Sequence, residues 1–420
     1  MSPIRPVSVL APFRIRSFRF QWPADLATSW AFEMENLILG WYVLVATGSV
    51  LLLTVFASLL YIGTLLSPMF GVMADRVGLR NLLCAMRGFY MMLATTVMIL
   101  AYTGVLTPVQ VLVIAALMGL VRPSDIGMRA ALVGETMPPI QLIPAMGIQR
   151  TTQDSARVAG ALSGAGLVAA LGMGPAYTVI ATLYATATLL TKIGGLHAAP
   201  RPGAPAAHAS SRPSPWRALK EGLNYVWTTP HLRAVICLAF LLNLTAFPLM
   251  LGLMPVVAKQ VYLADRITLG YMVAAGSSGA LLGALVTGRI GHAAHPARLM
   301  LVACAAWYVA LLVFAHMPHP ESGIPVLVFA GCAQAVGQVP MAAILLRTSD
   351  EKFRGRIMGI RMLAIYGNLP GLLIAGQLIL NFGYRATATL YCLLGLAFVW
   401  FVATRWHSHL WRADALANAR

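Results

Sequence analysis

The chain has 420 residues, of which 59% are hydrophobic and only 10% charged, and its mean hydropathy is +0.76. That composition excludes an ordinary soluble globular protein and leaves little chain for a separate soluble domain. A formal net charge of +17 would point to nucleic acid only if the basic residues were gathered together; they are instead parcelled out between apolar runs.

A membrane-spanning helix needs about 20 apolar residues. Twelve stretches qualify, near 20–46, 50–74, 82–103, 108–128, 144–170, 175–195, 232–257, 267–290, 297–317, 324–346, 356–380 and 385–405. With these spans, Lys259, Arg266 and Arg385 are the only basic residues in outward connections. Nearly all the others fall in the amino terminus, the even-numbered connections or the carboxyl tail, apart from a few inside helices, an asymmetry that places both termini in the cytoplasm. The five cysteines (Cys84, Cys237, Cys304, Cys332, Cys392) lie far apart within spans, with no metal spacing and no disulfide framework, and read as packing residues.

In chain order, residues 1–19 form a polar, arginine-bearing amino terminus, and the long interrupted segment behind them marks an uncleaved first span. Span 1 is the least apolar of the set and contains Asp25, Glu33 and Glu35. Ionisable groups at such depth usually face a bundle interior or a water-filled cavity. Glu33 and Glu35 are two residues apart and point about 200° away from each other on a regular helix. Glu35 shares a polar stripe with Gln21, Thr28 and Tyr42, whereas Glu33 shares its face with Ser29, Asn36 and Gly40. Glu35 is therefore the first candidate for a cavity carboxylate that exchanges a proton or binds a cation, and Glu33 the second. A structural salt bridge from span 1 to Arg150 or Arg157 of span 5 is the competing reading.

Between spans 2 and 3 lies Gly71-Val72-Met73-Ala74-Asp75-Arg76-Val77-Gly78-Leu79-Arg80. Gly71 is expected to let span 2 approach a neighbour, Gly78 to permit a tight reversal, and Arg76 and Arg80 to hold the loop on the cytoplasmic side. Asp75 places a carboxylate where it can face the positive end of another helix. Span 4 ends at Arg122-Pro123-Ser124-Asp125, since Pro123 kinks or stops a helix; Asp125 is expected to answer the arginines of the 71–80 loop, with Arg129 following it. Residues 130–143 read as a short inward loop. Span 5 carries Arg150, Asp154 and Arg157 on one face, two arginines flanking one carboxylate, and then the small-residue run Gly160-Ala161-Leu162-Ser163-Gly164.

Residues 197–215, rich in Ala, Pro, Ser and His, form a flexible linker. Trp216, Leu219, Leu223 and Val226 then recur at helical steps, which suits either an interfacial helix or one covering the bundle. In the second half, Gly288-Arg289-Ile290-Gly291 stands where the 71–80 motif should recur, and Met146-Gly147-Ile148 recurs as Met358-Gly359-Ile360. The resulting division is a cytoplasmic terminus (1–19), a six-helix bundle (20–195), a linker with an interfacial helix (196–230), a second six-helix bundle (231–405) and a cytoplasmic tail (406–420). Any substrate site is expected between the halves near the midplane.

The 71–80 stretch resembles the loop 2–3 signature of the major facilitator superfamily, G-x-x-x-D-R-x-G-x-R. Leu39-Gly40-Trp41-Tyr42-Val43-Leu44 with Thr47-Gly48-Ser49, Arg157-Val158-Ala159-Gly160, Glu221-Gly222-Leu223-Asn224-Tyr225-Val226 and Arg354-Gly355-Arg356 resemble segments of its bacterial enterobactin-exporter-like export branch. The resemblance implies an all-α polytopic membrane protein, twelve transmembrane helices in two pseudo-symmetric six-helix bundles, located in the bacterial inner membrane. It further implies that Asp75 helps clamp helix 2 to the start of helix 11, near Gly355. The chain departs from the pattern at Leu79, where a basic residue is frequent, and at Ala161, where antiporters often carry proline. It also has no charge between Val111 and Leu120, where many drug/proton antiporters bury an arginine mid-helix 4.

The function implied is secondary transport by alternating access, exporting a drug, siderophore or other amphipathic metabolite, with a proton as the expected coupling ion. No nucleotide-binding P-loop occurs, no cofactor or metal is expected, and the expected partners are a small-molecule substrate and the lipid bilayer, for a monomer that binds no nucleic acid. Nutrient uptake is an alternative within the same fold. A membrane-embedded enzyme would rest on His316, His319 and Glu321, a weak cluster beside Pro318 and Pro320; a non-transporting receptor would bind without flux.

Overall fold

The computed structural model describes residues 11–195, 215–290, 295–349 and 353–406. Most of the expected linker, most of the tail, and Gly291 lie outside the described residues, as do the side chains of Asp75 and of residues 354–356.

Every regular element among the described residues is helical: α1 (Arg16–Thr47), α2 (Val50–Leu59), α3 (Ser67–Val77), α4 (Leu79–Tyr102), α5 (Pro108–Thr136), α6 (Pro139–Leu171), α7 (Met173–Gly195), α8 (Pro215–Thr228), α9 (Pro230–Leu241), α10 (Met254–Val256), α11 (Arg266–Ile290), α12 (Pro296–His316), α13 (Pro320–Arg347), α14 (Arg354–Leu363) and α15 (Asn368–Arg405). Eight of the described helical stretches are by themselves long and apolar enough to cross a membrane, and the last of them, Gly359–Arg405, holds two spans. The remaining three spans are α1 and α6, which carry buried charges, and α2–α3, interrupted by the 3₁₀ turn Ile62–Leu66. Twelve spans are thus accounted for.

The chain divides into two compact units, Met1–Tyr42 with Ile62–Ala207, and Val43–Tyr61 with His208–Arg420. In the second, α2 packs on α15: a Cβ at Gly376 would meet the Thr54 hydroxyl at 2.3 Å, and the Ser58 hydroxyl lies 3.4 Å from the Leu369 carbonyl. Also in this unit, Gly279 and Gly283 on α11, a G-x-x-x-G pair, let α13 approach so closely that a Cβ at Gly279 would meet the Val328 carbonyl at 1.9 Å.

Local signals set the helix ends. Thr107 and Gln110 form a reciprocal capping box at the start of α5, and Ser49 caps α2. Gly78, at φ +90°, is the single residue between α3 and α4, as the tight reversal requires. α15 changes direction at Gly383 (φ 79°, ψ 168°), a conformation essentially reserved for glycine.

Pro123 does not end span 4. α5 runs through it to Thr136, and the inward loop expected over 130–143 shrinks to Met137 and Pro138. Pro123 cannot bond the Gly119 carbonyl one turn back, but Gly63 comes so close that a Cβ there would meet the Gly119 and Leu120 carbonyls at 2.4 and 2.1 Å. The same device recurs in the second unit, where Pro248 frees the Leu244 carbonyl and a Cβ at Gly371 would lie 2.2 Å from it. Span 7 responds to its prolines with π turns at Leu242–Ala246, Pro248–Gly252 and Val257–Val261. α8 stacks Tyr225 on Phe353 at 4.4 Å and buries Val226, while Leu223 and Trp227 stay exposed.

Candidate functional site

The polar interior of the first unit is built from α1, α4, α5, α6 and α7. Asp25, one turn beyond Gln21 on α1, ion-pairs with Arg87 of α4 and lies 3.8 Å from Arg129 Nε of α5. Gln149 Nε2 of α6 donates to it at 3.4 Å, and Arg87 also donates to the Thr191 hydroxyl of α7. Arg129 pairs with Asp125 one turn back on its own helix and donates to the Ser29 hydroxyl at 2.8 Å. Two carboxylates and two guanidiniums are thereby sealed together, Arg87 and Arg129 each only 1% exposed.

Glu35 sits apart from that quartet. Its carboxylate accepts from Tyr177 at 3.5 Å and from Tyr184 at 3.1 Å, tyrosines seven residues apart on one face of α7. Tyr90 of α4 packs on Tyr184 with ring centroids 5.6 Å apart. Glu33, half-buried, takes the salt bridge across to α6, with Arg157 Nε 3.4 Å from its Oε1. The α1–α6 contact is tight because of the small-residue run: a Cβ at Gly160 would meet the Glu33 Cβ at 2.7 Å, and Trp30 Nε1 donates to the Ser163 hydroxyl.

Several expectations change. Asp125 answers Arg129 rather than the 71–80 loop, whose Arg80 donates to Ser17 while Arg76 is exposed. Arg150, largely exposed, bonds the buried Asp154, but Arg157 reaches Glu33, so the three do not form one flanked carboxylate. Glu35 finds tyrosines instead of the span 5 arginines, because α1 turns that face to α7. Nothing lies within 4 Å of a Cβ at Gly71, so close packing does not account for that glycine. An arginine does occupy the middle of α5, which is span 4, two residues past the charge-free stretch: Arg122 lies 3.2 Å over the Phe32 ring, with a buried Nη1 that has no hydrogen-bond partner among the described residues. Arg87, Tyr177 and Tyr184 were not singled out from the sequence. A lone arginine within span 3 and two tyrosines at a seven-residue step were the available signals.

Among the described residues no cluster of histidine, cysteine and carboxylate is placed to hold a metal ion, and His316 is turned back to the Leu312 carbonyl of its own helix.

Solved structures of similar fold include a POT-family transporter in complex with 5-aminolevulinic acid, at TM-score 0.72 and 9% identity over 94% of this chain and 97% of that one. The nucleoside transporter NupG aligns at TM-score 0.69 and 13% identity over 92% and 98%. At these identities the likeness concerns the fold alone. A family model described as transmembrane secretion effector matches residues 7–417, and the chain belongs to that family within the major facilitator superfamily. The enterobactin exporter of Shigella dysenteriae serotype 1 (strain Sd197) is 28% identical over 195 residues, 46% of this chain and 44% of that protein. The enterobactin exporter of Escherichia coli O139:H28 (strain E24377A / ETEC) is 28% identical over 180 residues, 42% and 41% of the two chains. The matched stretch spans less than half the length of either relative.

Proposed function

We propose that the protein is a secondary active exporter of a small amphipathic molecule, coupled to protons and working by alternating access in the bacterial inner membrane with both termini cytoplasmic. In this reading the Gly71–Arg80 loop, with Asp125 and Arg129 beneath it, acts as the conformational switch. The observation that carries the coupling is Glu35, 2% exposed and bonded by tyrosine hydroxyls without a salt-bridge partner among the described residues. A carboxylate held by neutral groups can take or release a proton when a conformational change alters its access to water. Asp25, clamped by two guanidiniums, is instead a fixed charge that orders the helices. Glu33, whose partner Arg157 keeps 28% of its side chain exposed, and Arg122 are the groups suited to touch a substrate, because their charges are not sealed within the quartet.

Enterobactin, the molecule named for the relatives, is the first substrate to test. In proteoliposomes, Glu35→Gln is expected to abolish efflux driven by a pH gradient and to spare substrate exchange in the absence of a gradient. Wild-type transport by Glu35→Gln at every pH would overturn the assignment and make Glu33 the next candidate.

A further inference from the structure

A cavity of about 10 Å³, room for one water, lies at one end of the first unit, lined by Ser17, Gln21, Arg80, Arg87, Thr191 and Gly194 among others. Ser17 and Arg80 are the second residues of α1 and α4, and Gly194 is the last but one of α7. The cavity therefore opens where three helices reach the membrane surface. Arg87 lies seven residues, about 10 Å, deeper along α4.

Three buried polar atoms here have no hydrogen-bond partner among the described residues: Arg80 Nη1, Arg87 Nε and Gln21 Oε1. Leaving such groups unpaired in the interior forfeits their hydration without replacing it, so the site is shaped for something that supplies two acceptors and one donor. The described charges around it are mostly basic. Asp25 neutralises Arg87, whereas among the described residues Arg80 bonds the Ser17 hydroxyl and no carboxylate, and Arg14, Arg16, Arg19 and Arg76 are exposed at this same end. On the α7 side the wall gives way to apolar surface, with Leu189 57% exposed next to the lining residue Leu190.

We propose that this cleft between α1, α4 and α7 is a binding site for an anionic phospholipid headgroup. The lipid phosphate sits at the mouth on the Arg80 guanidinium, and its acyl chains run down the apolar face of α7. A single water in the cavity accepts from Arg87 Nε, donates to Gln21 Oε1 and gives its second hydrogen to the phosphate. Basic pockets between transmembrane helices at the cytoplasmic surface recognise anionic headgroups by this combination of fixed charge and apolar flank. A free phosphate offers the same oxygens but no chains for α7, which is what separates the two sources.

The test is native mass spectrometry of the full-length protein, delipidated in detergent and titrated with phosphatidylglycerol, phosphatidylcholine or inorganic phosphate. Wild type is expected to retain phosphatidylglycerol preferentially. Arg80→Gln should lower its affinity about tenfold, the value of one charge-assisted contact, and Arg80→Lys should restore part of it. Arg16→Gln, which removes a rim charge outside the cavity, should change it less than about twofold. Thermal melting of each variant without lipid checks that it is folded. Equal losses for Arg80→Gln and Arg16→Gln would reduce the effect to surface attraction and overturn the site. Equal retention of phosphatidylcholine, or full competition by inorganic phosphate at the concentration of the lipid, would overturn it as well.

Discussion

Replacing Asp25 by Asn tests the claim that the buried quartet is a balanced charge unit. The substitution keeps the size of the side chain and removes one of two negative charges, leaving Arg87 and Arg129, each 1% exposed, to share Asp125 alone. At the 3.8 Å separation of Arg129 Nε and Asp25, and with an effective dielectric of about 20, that pair alone interacts by roughly 4 kcal/mol. Removing one partner of a buried pair costs about 3–5 kcal/mol. In a membrane protein the denatured chain also finds polar partners, so a loss near the lower end, about 3 kcal/mol, is expected. Arg87→Gln unbalances the same unit in the opposite sense and should cost a similar amount. The double variant Asp25→Asn with Arg87→Gln leaves the neutral Arg129–Asp125 pair, and should be less destabilised than the sum of the singles by about 2 kcal/mol or more. The assay is reversible unfolding in mixed micelles, followed by tryptophan fluorescence across the four proteins. Losses that add within about 0.5 kcal/mol would refute the reasoning, since independent sites behave in that way.

Three further outcomes are expected. Gly331→Leu should abolish the monodisperse peak in size-exclusion chromatography, because a Cβ there would lie 1.9 Å from the Gly276 carbonyl on α11; Gly166→Ala, with nothing within 4 Å, should leave it unchanged. Asp265 caps α11 by accepting from the Thr268 amide and hydroxyl, and the amide bond foremost holds its carboxyl below the ordinary range. Asp265→Ala should therefore cost about 1 kcal/mol at neutral pH. Because the folded carboxyl titrates lower than the unfolded one at about 3.9, the difference from wild type in thermal melting should be full above that pH and fade as pH falls through the folded value. Reporter fusions at Gly48, Gly104 and Pro320 should read external, and those at Gly203 and Arg412 internal; an external signal at Gly203 would defeat the proposed orientation.

The twelve spans were legible because burial in lipid demands apolar length, which hydropathy measures directly. What hydropathy does not measure is how a freed backbone carbonyl is covered. Pro123 reads as a terminator because the approach of Gly63, some sixty residues earlier in the chain, is invisible in local sequence. The carboxylates of span 1 were identifiable as buried, since a charge inside an apolar run is too costly to face lipid and turns into the bundle. Their partners were not: which of Arg87, Arg129 or Arg157 reaches Asp25 or Glu33 depends on the rotation of α1 against three neighbours. The helical-wheel argument separates the faces of Glu33 and Glu35 correctly, yet it cannot say that the Glu35 face turns to the tyrosines of α7 while Glu33 takes the arginine of α6. Arg122 is hidden in the sequence because Val111–Leu120 looks like the middle of helix 4, and a helix that continues past Pro123 moves the middle of α5 beyond that stretch.

The joint at Gly383 has a mechanical consequence. The last two spans meet at one residue whose left-handed φ other amino acids rarely adopt, without the slack of a loop. A displacement of one arm of α15 is therefore handed to the other arm with little loss, as in a bent lever. The joint can flex only through the dihedrals at its corner. A side chain at Gly383 would strain the bend itself, and a few inserted residues would uncouple the arms while leaving each arm's packing intact.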